Sequence, residues 1–517
     1  MADIVADSRK KTLDKDLDKL VFVEEATSFL ARGLVAPGLA LLFLALSAIA
    51  ASFFVIGEPR AVIIIAATAI GGYMALNIGA NDVANNVGPA VGARALTMGG
   101  ALAIAAIFES AGALIAGDDV VTTIASGIVH PANIGNPEMF IWVMMAALLS
   151  SAIWVHLATW IGAPVSTTHA IVGGVVGSGV AAAGFSSVSW GMIGSITASW
   201  IISPVLGGVV AAAFLAFIKA TMIYQDDKIG AARRWVPLLV AFMGGTFAAY
   251  LATKGLGSVI NLSGFHIFLF GLGSFVLVWL LAHFSVRRQS EGMENRNQSL
   301  RKLFHLPLIC SAALLSFAHG ANDVANAVGP LAAIVRTANE NEVLGYVGIP
   351  LWVMLIGAIG ISLGLVLFGP RLIRMVGEQI TKLNPMRAFC VALSAAATVI
   401  LASWLGLPVS STHIAVGAVF GVGFFREWYT ANSSRRRAYL ERKAGRTRNG
   451  RAGPSSPPDD EEDDGNGDSR LFSREEVNRR KLVRRAHVTT IVAAWVTTVP
   501  ASAVLSALLF LALRAFA

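Results

Sequence analysis

Long apolar segments, separated by short polar connections, recur along most of the chain. Each segment contains roughly 20 predominantly apolar residues, which is enough for an α-helix to cross the hydrocarbon core of a bilayer. The pattern therefore predicts an all-α polytopic membrane protein. The clearest segments are 33–56, 140–161, 193–218, 235–253, 265–284, 346–368 and 489–513.

The composition also indicates a membrane environment. Of the 517 residues, 55% are hydrophobic and only 14% are charged, which is too apolar for an ordinary soluble domain. The basic residues behind the formal net charge of +8 lie in short connections and in one long loop. Nucleic-acid binding is therefore not expected. The two cysteines lie within apolar stretches and offer no spacing typical of a metal site.

Two polar motifs are duplicated in the chain. Residues 79–89 read GANDVANNVGP, and residues 320–330 read GANDVANAVGP, with a single difference. A second pair follows, PVSTTH at 164–169 and PVSSTH at 408–413. The two copies are offset by 241 and 244 residues, so the repeated unit covers nearly half of the chain.

The charges of equivalent connections indicate that the two repeats are inverted. The connection 370–387 carries four basic residues, whereas its counterpart 127–144 carries none. Basic connections favour the cytoplasmic side, so equivalent connections are expected on opposite sides of the membrane. Inverted repeats of this kind are common in secondary transporters.

This reasoning predicts about 12 transmembrane segments in two inverted-topology repeats with broken or re-entrant helices. The loop 426–487 has the composition of disorder. It is predicted to be a cytoplasmic insertion, with a regulatory or lipid-binding role as the alternative. The predicted order is a cytoplasmic segment 1–33, an additional transmembrane helix 34–60, the first repeat 61–218, a linker with a helical hairpin 219–302, the first part of the second repeat 303–425, the loop 426–487 and a final helix 488–517.

Carboxylates occur at membrane depth in both copies of the first motif. Asp82 and Asp323 would each cost about 3 kcal/mol there unless they are paired or coordinate a ligand. Asn85 and Asn326 offer amide oxygens beside them, so we expect these four residues to coordinate a coupled cation. Glu109 lies in an otherwise apolar run and is a further candidate for cation coupling. The glycines and prolines of both motifs are expected to interrupt the helix.

Hydroxyl groups cluster in both copies of the second motif. Proline favours the first turn of a helix, where free backbone N–H groups and hydroxyls together form an anion site. Two such sites, reaching the midplane from opposite sides, could hold one tetrahedral oxyanion. The alternative is that the hydroxyls only cap helices. The residues concerned are Ser166, Thr167, Thr168, Ser410, Ser411 and Thr412.

A histidine ends each copy of the second motif. His169 and His413 could relay protons or donate a hydrogen bond to phosphate, and they could equally be buried packing residues. The sequence leaves both interpretations open.

The GANDVAN and PVS(S/T)TH pairs resemble the motifs of the inorganic phosphate transporter (PiT) family. The resemblance covers the chain from about Tyr73 to its last helix. It implies an inverted repeat with a central phosphate site and cation-coupled uptake driven by sodium or protons. Carried over by position, Asn81 and Asn322 would bind phosphate with the six hydroxyl residues, and Asp82 and Asp323 would be the metal ligands if the coupled ion is sodium.

One departure from the family concerns the helix before each PVS motif. Family members often carry a glutamate there, whereas this sequence has Met144 and Ala392. Fewer carboxylates remain for binding sodium or carrying protons, so the coupling ion stays open.

The function predicted from these features is cation-coupled phosphate symport by alternating access in the plasma (inner) membrane, with a cytoplasmic N-terminus. The partners expected are phosphate, a sodium ion or proton and the lipid bilayer, without a covalent cofactor; homo-oligomerisation is left open. A sulfate or other oxyanion permease on the same scaffold is the first alternative, and an anion channel is the second. An enzyme is not expected, because neither motif combines Ser and His with an acid in a nucleophile pattern.

Overall fold

The computed structural model describes most of the chain outside the N-terminal segment and the charged loop. The predicted segment 1–33 and most of the predicted loop 426–487 lie outside the described residues. The described residues are 34–58, 60–129, 133–134, 136–163, 165–256, 260–340, 348–379, 383–434, 438 and 485–516.

Helices form almost all of the described chain. The first part contains α1 (Leu34–Phe54), α2 (Ala61–Gly92), α3 (Met98–Ala116), α4 (Asp118–Thr122), α5 (Pro137–Ile161), α6 (Thr167–Ala183) and α7 (Trp190–Ile218). The linker contains α8 (Lys228–Leu251), α9 (Gly264–Gln289) and α10 (Asn297–Leu303). The second repeat contains α11 (His305–Asp323), α12 (Ala325–Glu340), α13 (Leu351–Gln379), α14 (Pro385–Trp404), α15 (Ser411–Asn432) and α16 (Arg485–Phe516).

Membrane-spanning helices dominate the fold, as predicted. Among the described residues, 11 helical segments are long and apolar enough to cross a bilayer, and α6 is a shorter apolar helix. Extended pairing within the described ranges is limited to one isolated bridge between Val129 and Val188. These findings confirm an all-α polytopic membrane protein, and the count agrees with the prediction of about 12 segments.

Helices of each repeat pack against helices of the other repeat, in equivalent pairs. α2 packs on α13 and α11 packs on α3, while α6 packs on α16 and α15 packs on α7. Glycine makes the closest of these approaches possible, because a Cβ atom at Gly79 would lie 1.9 Å from the carbonyl oxygen of Ile361. At the equivalent Gly320, a Cβ atom would lie 2.0 Å from the carbonyl oxygen of Glu109. The paired contacts are those of two repeats related by an approximate two-fold axis.

The first motif leaves its helix continuous in one copy and nearly continuous in the other. α11 ends at Asp323 and α12 begins at Ala325, but Val324 between them has helical φ and ψ angles of −56° and −31°, so the interruption is limited to one residue within the single membrane-spanning segment His305–Glu340. In the first copy, α2 continues through the motif and contains Pro89, so the predicted break there is wrong. Pro89 lies in the last turn of α2, so the missing N–H and the ring of the proline affect an end at which only three helical residues follow.

The basic connections lie together on one side of the fold. Arg233, at the start of α8, donates a hydrogen bond of 2.7 Å to Ser290 Oγ, just after α9. Asn295 donates one of 2.6 Å to the carbonyl oxygen of Asp226. α8 and α9 also pack on each other. We call this side, defined by residues 219–234 and 287–302, the basic face.

The uncharged connections of the first repeat also lie together. The backbone N–H of Ser189 donates to the carbonyl oxygen of Ile128 at 2.9 Å, and Asn133 Nδ2 donates to the carbonyl oxygen of Ser186 at 2.9 Å. The connections 127–144 and 181–190, which both lack Lys and Arg, therefore contact each other in the fold.

Candidate functional site

Two short non-helical turns carry the PVS motifs to the centre of the fold. One turn joins α5 to α6, and the other joins α14 to α15. Each begins with a glycine in the left-handed region, Gly162 with φ 76° and Gly406 with φ 66°. Most side chains disfavour this conformation, so glycine allows the first helix of each pair to end sharply. We call the turn and first helical residues of α6 and of α15 the two hairpin tips.

The first serine of each hairpin tip caps a helix. Ser166 Oγ accepts a hydrogen bond from the backbone N–H of His169 at 3.1 Å. Ser410 Oγ accepts the equivalent bond from His413 at 3.3 Å. Both predicted phosphate ligands therefore have a capping role. A cap satisfies only part of a first helical turn, so the other N–H groups of that turn have no partner within the helix.

Asn81 on α2 attaches the first hairpin tip to the motif helix. Its Nδ2 donates to Thr159 Oγ1 at 2.9 Å, and its Oδ1 accepts from the backbone N–H of Val165 at 3.4 Å. The side chain therefore bridges the end of α5 and the turn that follows it.

Asn322 attaches the second hairpin tip in the same way. Its Nδ2 donates to Ser403 Oγ at 3.0 Å, and its Oδ1 accepts from the backbone N–H of Val409 at 3.3 Å. Rotating the amide would instead let it donate to Asp323 Oδ1 at 3.0 Å. We adopt the first orientation because it reproduces the bonds of Asn81 in the other repeat.

Asp82 connects the two hairpin tips. Thr167 Oγ1, from its own repeat, donates to Asp82 Oδ2 at 3.1 Å, and Thr412 Oγ1, from the other repeat, donates to Asp82 Oδ1 at 3.0 Å. Asn85 Nδ2 in turn donates to Thr412 Oγ1 at 2.9 Å. The first motif of one repeat is thereby bonded to the second motif of both.

Asp323 lies in the corresponding position of the second repeat. Ser411 Oγ donates to Asp323 Oδ2 at 3.1 Å. Asn326 Nδ2 lies 3.2 Å from both Thr167 Oγ1 and Thr168 Oγ1. The structure therefore brings the predicted aspartates, asparagines and hydroxyls of both repeats into one cluster.

Glu109 on α3 also belongs to this cluster. Its side chain is buried, and Asn86 Nδ2 donates to Glu109 Oε1 at 2.7 Å. The sequence singled out Glu109 as an acid in an apolar run, but it gave no indication of its partner on α2.

His319 is a site residue that the sequence analysis missed. Its Nε2 lies 2.8 Å from Asp323 Oδ2 and 3.7 Å from Asp82 Oδ2, and its Nδ1 lies 3.3 Å from Glu109 Oε1. The ring is fully buried, and its two nitrogens face carboxylate oxygens on three sides, so an imidazolium here would form ion pairs with all three acids. The sequence feature that could have identified this residue is a histidine directly before GAND, at a position where the first copy of the motif has Ile78.

The link between His319 and Glu109 breaks the symmetry of the repeats. Gly79 packs against Ile361, and the equivalent Gly320 packs against Glu109. Ile361 therefore occupies the position in one half that Glu109 occupies in the other. The one difference between the two copies of the first motif is Asn86 against Ala327. The polar residues Asn86, Glu109 and His319 therefore correspond to the apolar residues Ala327, Ile361 and Ile78.

Known proteins share these motifs and this fold. The sequence profile of the phosphate transporter family matches residues 78–506 of the chain. The chain belongs to the phosphate transporter family. The matched range begins within α2 and ends within α16, so it contains both copies of both motifs.

Two relatives and one solved structure illustrate the similarity of this transporter to other proteins. A protein from Helicobacter pylori, named as a candidate phosphate permease, is 47% identical over 95% of this chain and 97% of its own length. Another so named, from Pyrococcus abyssi, is 38% identical over 71% of this chain and 89% of its own length. A solved structure described as the sodium-dependent phosphate transporter has a TM-score of 0.75 and 33% identity, over 88% of this chain and 100% of its own.

The cluster in this transporter is suited to a cation. Asp82, Asp323 and His319 each offer a ligand atom, and these atoms all lie within 4.8 Å of one another. Three further acceptor oxygens in the cluster are buried without a hydrogen-bond partner, namely Asn86 Oδ1, Glu109 Oε2 and Asn326 Oδ1. Buried acceptors without a donor favour a bound cation, and sodium, like other hard cations, prefers oxygen ligands.

The two motif histidines lie against each other in this transporter. The rings of His169 and His413 are 4.5 Å apart between centroids, and the indole of Trp200 stacks on His169 at 3.7 Å. His169 Nδ1 lies 2.6 Å from Ser166 Oγ. Trp200 Nε1 donates to the carbonyl oxygen of Pro408 at 3.0 Å. The pair therefore joins the two hairpin tips through ring contacts.

Proposed function

We propose that this transporter moves inorganic phosphate across the membrane together with sodium. The observation that carries the proposal is the meeting of two hairpin tips from opposite repeats at Asp82 and Asp323. Each tip supplies hydroxyls and a helix N-terminus, and each aspartate accepts a hydrogen bond from a tip hydroxyl. Such an arrangement offers neutral donors to an anion and carboxylates to a cation in one place.

Phosphate fits the donor set of the two hairpin tips. A tetrahedral oxyanion could accept hydrogen bonds from the N–H groups of both first turns. The hydroxyls of Thr167, Thr168, Ser411 and Thr412 would also donate to it once they turn away from their present acceptors, which are Asp82, Asp323 and the carbonyl oxygen of Val409. Phosphate also keeps a proton near neutral pH, which sulfate lacks. Asp82 or Asp323 can accept a hydrogen bond from that protonated oxygen, so the carboxylates would favour phosphate over sulfate.

Charge balance supports a coupled cation. Asp82, Asp323 and Glu109 surround a single imidazole at ion-pair distances, so the buried cluster is already rich in negative charge. An added phosphate would be repelled unless cations enter with it, because buried like charges interact strongly. We assign cation coordination to Asp82, Asp323 and Asn326, together with Glu109. The sodium dependence in the description of the similar solved structure also supports this choice.

We assign a positioning role to Asn81 and Asn322. Both amides bond to the turn of their own hairpin tip, so they would fix the tips rather than contact phosphate. Ser166 and Ser410 would act similarly through their capping bonds.

The hydrogen bonds that cross between the repeats support alternating access as the mechanism. Two hydrogen bonds join one repeat to the other. Thr412 Oγ1 donates to Asp82 Oδ1, and Thr168 Oγ1 donates to the carbonyl oxygen of Val409. Rocking of one repeat against the other would exchange these bonds for contacts with the ions and would open the site to one side. We further propose that the basic face is cytoplasmic in the plasma membrane, as the positive-inside tendency favours.

Uptake of labelled phosphate into liposomes tests this function. Sodium and proton gradients are imposed separately at a clamped membrane potential, with unlabelled sulfate as the competitor. We expect accumulation against the phosphate gradient only with sodium, little competition by sulfate, and no accumulation by Asp82→Asn. Accumulation driven by protons alone would overturn sodium coupling. Equilibration without accumulation would indicate a channel, and full competition by sulfate would indicate a general oxyanion permease.

A further inference from the structure

A second polar cavity lies at the basic face, outside the cluster that contains Asp82 and Asp323. Its empty volume is about 400 Å³, and this figure includes space that is open to solvent. Three of its lining residues are basic and two are asparagines, and none of the eight is acidic. The lining residues are Leu215, Lys219, Ile223, Asn297, Arg301, Asn384, Met386 and Arg387. We call this cavity the basic cleft.

Three different segments supply the positive charges of the basic cleft. Lys219 follows α7, Arg301 lies on α10 and Arg387 lies in the first turn of α14. Lys219 is only 4% exposed, and its Nζ lies 4.8 Å from the ring centroid of Tyr429. Tertiary packing therefore brings three basic side chains from separate segments to one cavity, where each can donate hydrogen bonds to an anion.

The N-terminus of α14 adds to the positive potential of the basic cleft. Asn384 Oδ1 accepts from the backbone N–H of Arg387 at 3.0 Å and so caps the helix, with Pro385 as its first residue. The first turn contains no acidic residue. An unbalanced helix N-terminus attracts anions through its free N–H groups and its dipole.

The equivalent helix of the first repeat, α5, differs from α14 in the charge of its first turn. α5 also begins with a capping asparagine and a proline, Asn136 and Pro137, and its cap accepts from Met139 N–H at 2.7 Å. The next residue is Glu138, a carboxylate within the first turn. α5 therefore carries its own balancing charge, whereas α14 has Met386 at the equivalent position and the cation Arg387 directly after it.

We propose that the basic cleft binds a phosphate group. Guanidinium groups match phosphate oxygens through paired N–H donors, and the lysine and helix N-terminus add charge. The phosphate group can belong to inorganic phosphate entering or leaving the protein on this side, or to the headgroup of an anionic lipid at the membrane surface. The proposal does not depend on the transport function assigned to the central cluster.

Two binding measurements on the purified full-length protein test the basic cleft. The first measures labelled inorganic phosphate bound per protein in sodium-free buffer. The second measures retention of phosphatidylglycerol against phosphatidylcholine during delipidation, by native mass spectrometry. The variants are Arg301→Gln, Arg387→Gln and the double change, and Arg288→Gln is the matched control. Arg288 is exposed on the same face but does not line the cleft.

We expect each Arg→Gln change to weaken binding about tenfold, because it removes a charge-assisted hydrogen bond. Arg288→Gln should behave like the unmodified protein. Loss of phosphate binding identifies the free anion as the ligand, and loss of phosphatidylglycerol retention identifies the lipid headgroup. Equal binding of both ligands by the unmodified protein and the double variant would overturn the proposal, as would an equal loss in Arg288→Gln.

Arg301→Lys provides a test that does not depend on the stability of the double variant. It keeps the positive charge but loses the paired N–H donors of the guanidinium group, so its binding should lie between that of Arg301→Gln and that of the unmodified protein. Equal loss in both single variants, with unchanged thermal midpoints, would exclude a site based on charge.

Discussion

Thr412, at the start of α15 in the second repeat, donates a hydrogen bond of 3.0 Å to Oδ1 of Asp82 in the first repeat. The two residues are 330 positions apart in the sequence. The same hydroxyl accepts from Asn85, so one threonine joins the motifs of both repeats. The contact places a group that can bind an anion beside a group that can bind a cation.

Thr412→Val tests this contact. The change keeps the shape of the side chain but leaves Asp82 Oδ1 without its donor, so we expect phosphate uptake to fall at least about tenfold. Initial uptake rates in liposomes measure the effect. Thr398→Val is the control, because Thr398 is also buried in the second repeat but donates only to Ser394 O in its own helix. Equal loss in the two variants would show that the effect is one of packing alone.

His319→Ile tests the ion pairs that distinguish the repeats. Isoleucine is the residue at the equivalent position 78, so the local packing accepts its shape. Removing the imidazole leaves buried carboxylates unpaired, which should destabilise the protein by about 3 kcal/mol and abolish uptake. Thermal unfolding of the purified protein measures the stability change.

The double variant Glu109→Ile with His319→Ile provides the control for that experiment. It introduces isoleucine at both positions, as at the equivalent Ile78 and Ile361 of the other half. It also removes the Glu109 carboxylate that His319→Ile leaves unpaired, so it should be more stable than His319→Ile alone. A double variant that is less stable than either single variant would contradict the ion-pair interpretation.

Asn326→Ala and Asn322→Ala should affect different kinetic constants. Asn326 Oδ1 is buried without a hydrogen-bond donor, and we expect its loss to raise the sodium concentration for half-maximal uptake about tenfold. Asn322 holds the second hairpin tip, so its loss should lower the maximal rate with little change in sodium affinity. Uptake measured over a range of sodium concentrations separates these effects. The same response in both variants would disprove the separate roles.

Gly320→Ala should disrupt the contact between α11 and α3. The added Cβ would lie 2.0 Å from the carbonyl oxygen of Glu109, and overpacking of this kind costs about 1–3 kcal/mol or more. We expect a lower thermal midpoint and reduced uptake. Gly273→Ala on α9 is the control, since a Cβ there meets no atom within 4 Å, and it should keep the midpoint unchanged or raise it slightly. Equal midpoints for the two variants would contradict the close approach.

The site residues on the two motifs could be found from the sequence because each carries its own signal. Asp82 and Asp323 are carboxylates in apolar surroundings, and the hydroxyls of both hairpin tips follow a proline that favours a helix start. The free-energy cost of a carboxylate within the membrane depends on that residue and its near neighbours in the sequence, so it can be recognised without the fold. Their assignment to phosphate or to a cation stays a prediction.

The chain by itself determined the membrane environment, the duplication and the identity of most polar residues, because hydropathy, repetition and helix capping are written in neighbouring positions. Tertiary structure decided which of these residues meet. It brought His319 to Asp82 and Glu109, whose positions lie on three helices from both repeats. It also kept α2 continuous through a motif whose glycines and proline predict a break, and it limited the interruption in the second copy to Val324. Contacts between distant segments depend on how the two repeats pack, and no local pattern encodes that packing.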